Sequence, residues 1–248
     1  MKKIIGYIPV RLNSKRLYQK ALSMIDGLPL FVHVYRRAKL SRRLNDLILC
    51  CDDNKIISIA KKYNVKCILT SKKHKNGTER IYEAYKKNKK SAKLIVDIQG
   101  DEPLINPKHI DMVIQFHLNN YKTDIILPTL KVKEKNNKNI IKVVTNLKNE
   151  VLYLSRRDVP FVYDKPKNFF FNKHLSIISF LPSALKKFAS TEKTFLEKIE
   201  NIELIRALEQ SLKIKTLKLN GDSFSVDVKK DLIAARKKIK NDKLRKKY

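Results

Sequence analysis

Short apolar runs alternate with amphipathic stretches over the first half of this chain, and few folds accommodate that alternation. Residues 4–9, 47–51, 66–69, 94–98 and 124–130 are apolar and short enough to be strands. Between them, residues 30–39, 55–63, 79–87 and 107–119 space their apolar side chains at the helical period, the last starting on Asn106-Pro107. Strands separated by helices predict an α/β fold, a Rossmann-like, mostly parallel sheet with helices on both faces. Ligands of such sheets bind beyond the carboxyl ends of the strands, so function is sought in the loops that leave them. Past residue 130 the rhythm changes. A Lys/Asn-rich linker (131–139), short strands at 140–145 and 151–154 and a Pro- and aromatic-rich loop (160–171) read as a small strand-rich insertion, residues 131–182, in a single domain of residues 1–248. A strand at 174–180, helices at 183–189 and 197–211, a strand at 213–219 and a closing helix from Val228 complete the chain.

Composition narrows the class. With 248 residues, 43% hydrophobic and 32% charged, the chain can bury a sizeable core, which excludes wholesale disorder and collagen-like or disulfide-scaffold architectures. No apolar stretch approaches the ~20 residues a bilayer demands. Residues 1–10 run straight into a strand, so neither a membrane span nor a signal peptide is expected, and the expected compartment is the cytoplasm. The three cysteines, Cys50, Cys51 and Cys67, form neither an even disulfide set nor a metal-ligand spacing, and the first two read as small buried hydrophobes. Fifty-five Lys and Arg against 24 Asp and Glu leave a net charge of +31, for which a nucleic-acid partner is one reading. The excess is mostly Lys in scattered short groups such as Lys72-Lys73 and Lys89-Lys90, with no recognition module, so a solvated basic surface that attracts phosphorylated ligands in general is preferred. The densest basic run, residues 236–248, reads as a frayed helix end.

With only five glycines, the chain has neither G-x-G-x-x-G nor G-x-x-x-x-G-K-[ST], so side chains must help to hold any nucleotide phosphates. The first strand ends at Pro9 and exits through Val10-Arg11-Leu12-Asn13-Ser14-Lys15-Arg16-Leu17-Tyr18-Gln19-Lys20. Arg11, Arg16 and Lys20 are either three more surface cations or, placed at a strand's carboxyl end, a cage for phosphates. Asp101 and Glu102 follow Gly100 at the end of another apolar run, where carboxylates suit a hard cation such as Mg²⁺; an acidic turn before the next helix is the alternative. Asp227 opens the last helix, and on its own reads most simply as an N-cap. In Asn76-Gly77-Thr78-Glu79-Arg80, Thr78 is a candidate cap, and Arg80 is a ligand contact or an ordinary first-turn residue.

Taken together these strings resemble the CMP-sugar synthetase family of nucleotidyltransferases, and within it the CMP-Kdo (3-deoxy-manno-octulosonate) synthetases. The family's I-P-A-R-x-x-S-x-R-L-P-x-K-x-L is similar to residues 8–22, its S-G-T-E-R to Asn76 through Arg80 and its V-Q-G-D-E-P to Ile98 through Pro103. Further strings resemble Lys142-Val143-Val144, Ser155 through Pro160, Lys173 through Ile178 and Val226 through Leu232, in the same order and across nearly the whole chain. The resemblance implies a nucleotide-diphospho-sugar transferase fold and attack of a 2-keto-3-deoxy sugar acid on the α-phosphate of CTP, for lipopolysaccharide biosynthesis. It implies catalytic roles for Arg11, Lys20 and Asp101, nucleotide contacts from Arg11, Ser14, Arg16, Lys20, Gly77, Thr78 and Arg80, and Mg²⁺ on Asp101 and Asp227. It also implies sugar contacts from Gln99, Arg156, His174 and Glu203, and a homodimer joined through the segment after residue 130. No specific nucleic acid or membrane insertion is expected. Tyr18-Gln19 stands where the family has Pro-x, while Ser176, Ile178 and Leu204 replace a Gly, a Tyr and a Gln of its sugar pocket. A sugar acid other than Kdo, such as 8-amino-Kdo or a sialic- or legionaminic-type acid, is therefore the alternative substrate, a non-catalytic homologue a further reading, and a basic nucleic-acid-binding protein the alternative of another class.

Overall fold

A computed structural model describes residues 2–14, 16–164 and 168–248. Lys15 of the first exit loop and residues 165–167 of the Pro- and aromatic-rich loop lie outside the described residues. The chain divides into two compact units, Met1–Met112 with Ser223–Tyr248, and Val113–Asp222.

In the first unit the predicted alternation holds. Strands β1 (Lys3–Pro9), β4 (Asp46–Cys51), β5 (Cys67–Leu69) and β6 (Ala92–Ile98) pair in the order β5-β4-β1-β6, and all three pairings are parallel. Helices α1 (Leu30–Ala38), α2 (Asn54–Lys62) and α3 (Gly77–Asn88) are the crossovers. The chain steps outward from β1 to β4 and β5, then returns through α3 to the far side of β1. Right-handed crossovers then place α3 on the face opposite α1 and α2, and leave the crevice of the fold between the carboxyl ends of β1 and β6. Ile5, Tyr7, Ile8, Ile48, Leu49, Ile95 and Val96 are completely buried, as strands covered on both faces require.

Local chemistry sets the boundaries. The carboxylate of Asp53 accepts from the Lys55 amide and starts α2. Asn76, rather than the expected Thr78, caps α3: its Oδ1 accepts from the Glu79 amide at 2.8 Å, and Glu79 Oε1 accepts from Asn76 Nδ2 at 3.0 Å. A small hairpin, β2 (Met24–Ile25) and β3 (Leu28–Pro29), escaped the sequence reading because its strands are too short to show a period. Its Asp26-Gly27 turn has φ of 42° and 76°, the left-handed values an Asp-Gly pair tolerates.

Helix α4 (Pro107–Asn119) carries the division between the units. In the second unit β7 (Ile125–Val132), β8 (Lys142–Thr145), β9 (Val151–Ser155), β10 (Phe171–His174), β11 (Ile177–Phe180) and β12 (Ile214–Leu219) pair mainly antiparallel, with β12 parallel to β7. The single strand expected over 174–180 is two. The Ile177 amide turns back onto the Leu175 carbonyl at 2.8 Å, and this kink lets β10 pair with the end of β7 and β11 with its start. The helix expected over 197–211 likewise divides. After α5 (Pro182–Ala189), Asn201 at φ 52° ends α6 (Phe195–Glu200) before α7 (Leu204–Glu209) begins.

The closing helix α8 (Lys229–Lys240) and the 3₁₀ turn Lys243–Lys247 return to the first unit. The tail is anchored rather than frayed. Arg37, buried in α1, pairs with Asp242, Arg245 Nε donates to Asp26 Oδ2 at 2.7 Å, and the Tyr248 hydroxyl lies 3.0 Å from His33 Nδ1. Partners so distant in sequence give no local signal, which is why basicity alone misread this segment.

Candidate active site

The carboxyl ends of β1 and β6 meet because of one glycine. A Cβ on Gly100 would lie 2.4 Å from Val10 Cγ1 and 2.7 Å from the Pro9 carbonyl, so only glycine admits this approach. It delivers Asp101 to the loop that leaves β1. The Val226 amide then donates to the Asp101 carbonyl at 2.9 Å, which brings Asp227 to the same place from the far end of the chain.

The Lys20 ammonium sits between these two acids. Its Nζ is 2.7 Å from Asp101 Oδ2 and 3.2 Å from Asp227 Oδ1, and Arg16 Nη2 reaches the same Asp227 oxygen at 2.8 Å. Asp227 is therefore not the N-cap it resembles. The Asp231 carboxylate accepts from the Asp227 and Val228 amides and caps α8 instead, which frees Asp227 to face the cations. These side chains are 17–55% exposed, so their pairs contribute at most about 1 kcal/mol to folding. The two carboxylates converge on one positive charge, and two such oxygens with ligand phosphates are a donor set that fits Mg²⁺. Glu102, adjacent in sequence to Asp101, is buried, so the acid pair seen in the sequence separates.

The rest of the exit loop brackets this cluster. Arg11 is exposed, Ser14 is half-buried, and Gln19 adopts φ 47° just before the 3₁₀ turn Lys20–Leu22. The loop is tied down by Asp52, a residue the sequence reading did not single out. Its Oδ1 accepts from the Leu12 amide at 2.9 Å, while Oδ2 lies 3.2 Å from Arg80 Nη2. Arg80 is buried and also donates to Thr70 Oγ1 at 2.7 Å, so its guanidinium ties α3 to the residues that follow β4 and β5. Two acids immediately after an apolar strand, Asp52-Asp53, were the available signal.

At the start of α3, a Cβ on Gly77 would lie 3.2 Å from Pro9 Cγ and 3.5 Å from Gln99 Nε2, so this turn lies directly against the ends of β1 and β6. Thr78 is completely buried, and its Oγ1 has no hydrogen-bond partner among the described residues. Gln99 donates to both carboxylate oxygens of the buried Asp97, at 3.0 and 2.9 Å.

The remaining predicted residues belong to the second unit. Arg156 donates through Nε, Nη1 and Nη2 to the carbonyls of Glu200, Lys138 and Asn201, each at 2.9 Å. Burial, with Lys173 and Arg156 nearby, pushes His174 down to about 4, so its imidazole is neutral at physiological pH. Glu203 occupies the N-cap position of α7. Ile178 and Leu204, the aliphatic departures, are 2% and 1% exposed, packed into this unit's core. Lys142, unnoticed within its Lys-Val-Val string, is fully buried, with Nζ 2.9 Å from Asp158 Oδ1 and from the Asn137 carbonyl.

With this geometry in place, the kinship is clear. A family model described as cytidylyltransferase matches residues 5–214. The 3-deoxy-manno-octulosonate cytidylyltransferase of Thermodesulfovibrio yellowstonii is 37% identical, covering 94% of this chain and 96% of that relative. The enzyme of the same name from Chloroherpeton thalassium is 36% identical over 93% and 95%. A solved CMP:2-keto-3-deoxy-manno-octonic acid synthetase complexed with CTP superposes at a TM-score of 0.91, with 26% identity, over 97% of this chain and 99% of that one. The sheet and helices thus match the nucleotide-diphospho-sugar transferase fold, and the chain belongs to the 3-deoxy-manno-octulosonate cytidylyltransferase family.

Proposed function

We propose that this protein transfers CMP from CTP to 3-deoxy-manno-octulosonate (Kdo). The observation that carries this reading is the Lys20 ammonium held between Asp101 and Asp227 beside Arg16, at the carboxyl ends of β1 and β6. The anomeric hydroxyl oxygen forms a bond to the α-phosphorus of CTP, the bond to the β-phosphate breaks, pyrophosphate leaves and the hydroxyl proton is released. Charge neutralisation and positioning dominate such a transfer. Lys20 and Arg11 offset charge on the reacting phosphate and leaving pyrophosphate, with Arg16 and Ser14 completing the phosphate loop. Gly77 and Thr78 are proposed for the nucleotide side on the family resemblance. Arg80 acts there by holding the loop through Asp52.

Asp101 and Asp227 would hold Mg²⁺, which when bound screens phosphate charge and acidifies a coordinated hydroxyl. Gln99, Arg156, His174 and Glu203 are proposed for the sugar side on the family resemblance, and residues 131–182 as the sugar-binding and dimerisation segment of a cytoplasmic homodimer.

Pyrophosphate release from CTP and Mg²⁺, with Kdo and other 2-keto-3-deoxy sugar acids, tests this reading. Kdo-dependent release that Asp101→Ala abolishes is expected. Release only with another acid would overturn the substrate, and release unaffected by Asp101→Ala would overturn the site.

A further inference from the structure

The structure brings together two cysteines that sequence spacing left apart. Cys51 ends β4 and Cys67 begins β5; the parallel register sets Leu49 opposite Cys67 and Cys51 opposite Leu69. The cysteines are thus diagonal neighbours on one face, and their Sγ atoms lie 3.3 Å apart. Cys50, the alternate residue of β4, points to the opposite face and is completely buried. Cys67 is half-buried on β5, the last strand at this edge of the sheet, whereas Cys51 is completely buried.

A disulfide needs its sulfurs about 2.05 Å apart and its Cα atoms usually within about 6.8 Å. With about 4.8 Å between strands and about 6.6 Å over two residues along one, diagonal neighbours lie about 8 Å apart, so closing this bond draws the end of β4 toward β5. The next residue is Asp52, whose carboxylate holds the Leu12 amide and Arg80. We propose that Cys51 and Cys67 are a peroxide-oxidisable dithiol whose reversible disulfide loosens Asp52's hold on the Leu12 loop and weakens nucleotide binding. With hydrogen peroxide, the Cys67 sulfur, the more exposed of the two, attacks the O–O bond, becoming a sulfenic acid and releasing water. The neighbouring Cys51 thiol displaces that hydroxyl as a second water, joining the sulfurs as the peroxide takes up two electrons. A disulfide strained in this way is readily reduced, which makes the change reversible.

The formation of the bond is independent of the enzymatic reading; its consequence for CTP rests on that reading. The purified protein is treated with hydrogen peroxide, its thiols are counted after denaturation, and its intact mass and KM for CTP are measured before and after dithiothreitol. Loss of two of the three thiols, a mass lower by two hydrogens and a severalfold higher KM, all restored by dithiothreitol, are expected. Cys50→Ala keeps the cross-link, whereas Cys51→Ala and Cys67→Ser abolish it and leave KM unchanged by peroxide. Retention of all thiols, or a link that survives Cys51→Ala, overturns the dithiol. A link that forms with KM unchanged overturns its coupling to Asp52. Absence of any cytidylyl transfer refutes the enzymatic reading while the thiol count still decides the dithiol.

Discussion

Asp52 joins the loop that leaves β1 to Arg80 on α3, and Asp52→Asn isolates the charge in that junction. The carboxylate and its partner Arg80 are only 12% and 5% exposed. Breaking a buried ion pair by removing one charge costs about 3–5 kcal/mol, because the remaining charge is left uncompensated. Asparagine keeps an oxygen for the Leu12 amide, and Arg80 keeps its bonds to Thr70 Oγ1 at 2.7 Å and the Ser71 carbonyl at 3.3 Å. The expected loss therefore falls to about 2–3 kcal/mol. At about 2–4 °C per kcal/mol for a chain of this length, Tm falls by roughly 4–12 °C. Asp52→Ala, which also deprives the Leu12 amide of its acceptor, costs a further ~1–3 kcal/mol. Thermal unfolding followed by circular dichroism, together with KM for CTP, reads both effects. In an Arg80→Met background the cost of Asp52→Asn collapses to about 0.5 kcal/mol or less, since no buried charge is stranded. Refutation would be a Tm for Asp52→Asn within about 1 °C of the parent, or an undiminished cost in the Arg80→Met background.

Two other outcomes are expected. His174 is held down to about 4 in the fold, so as pH falls from about 6.5 the unfolded chain takes up its proton first, and stability is lost progressively until about pH 4. His33 and His117, both also lowered by burial, act in the same direction, so His174→Gln should make part of this acid slope disappear; urea unfolding between about pH 7 and 4.5 measures it, and an unchanged slope would contradict the assignment. Gly100→Ala forces a Cβ to 2.4 Å from Val10 Cγ1, destabilises the fold by about 1–3 kcal/mol and displaces Asp101, so pyrophosphate release falls more steeply than the loss of folded protein; a variant with parental Tm and activity would show that the close approach is dispensable.

Elements with a strong local pattern were legible. Residues 107–119 matched α4 at both ends, and the five apolar runs became β1, β4, β5, β6 and β7 within two residues of their expected bounds. The divided strand at 174–180 and divided helix at 197–211 were not legible, because each break is set by the partner strand or by one left-handed residue rather than by hydrophobic period. Of the site, Lys20, Asp101 and Arg16 were readable as charges at strand ends. Asp227 looked like a cap in isolation, and only the Val226 amide on the Asp101 carbonyl, with Asp231 taking the capping role, shows otherwise. Arg80 shows the same limit, since its motif is visible but its inward pairing with Asp52 is not.

The order and spacing of strands, helices and charged loops were thus determined by the sequence itself, since hydrophobic period and turn chemistry act within a few residues and survive without a partner. Which side chains meet was decided only by the tertiary structure. Lys20 reaches Asp101 and Asp227, Asp52 reaches Leu12 and Arg80, and Cys51 reaches Cys67 because parallel pairing and one close approach at Gly100 bring together segments 16 to 207 residues apart. Such contacts depend on ångström distances in the folded chain, which no local pattern encodes.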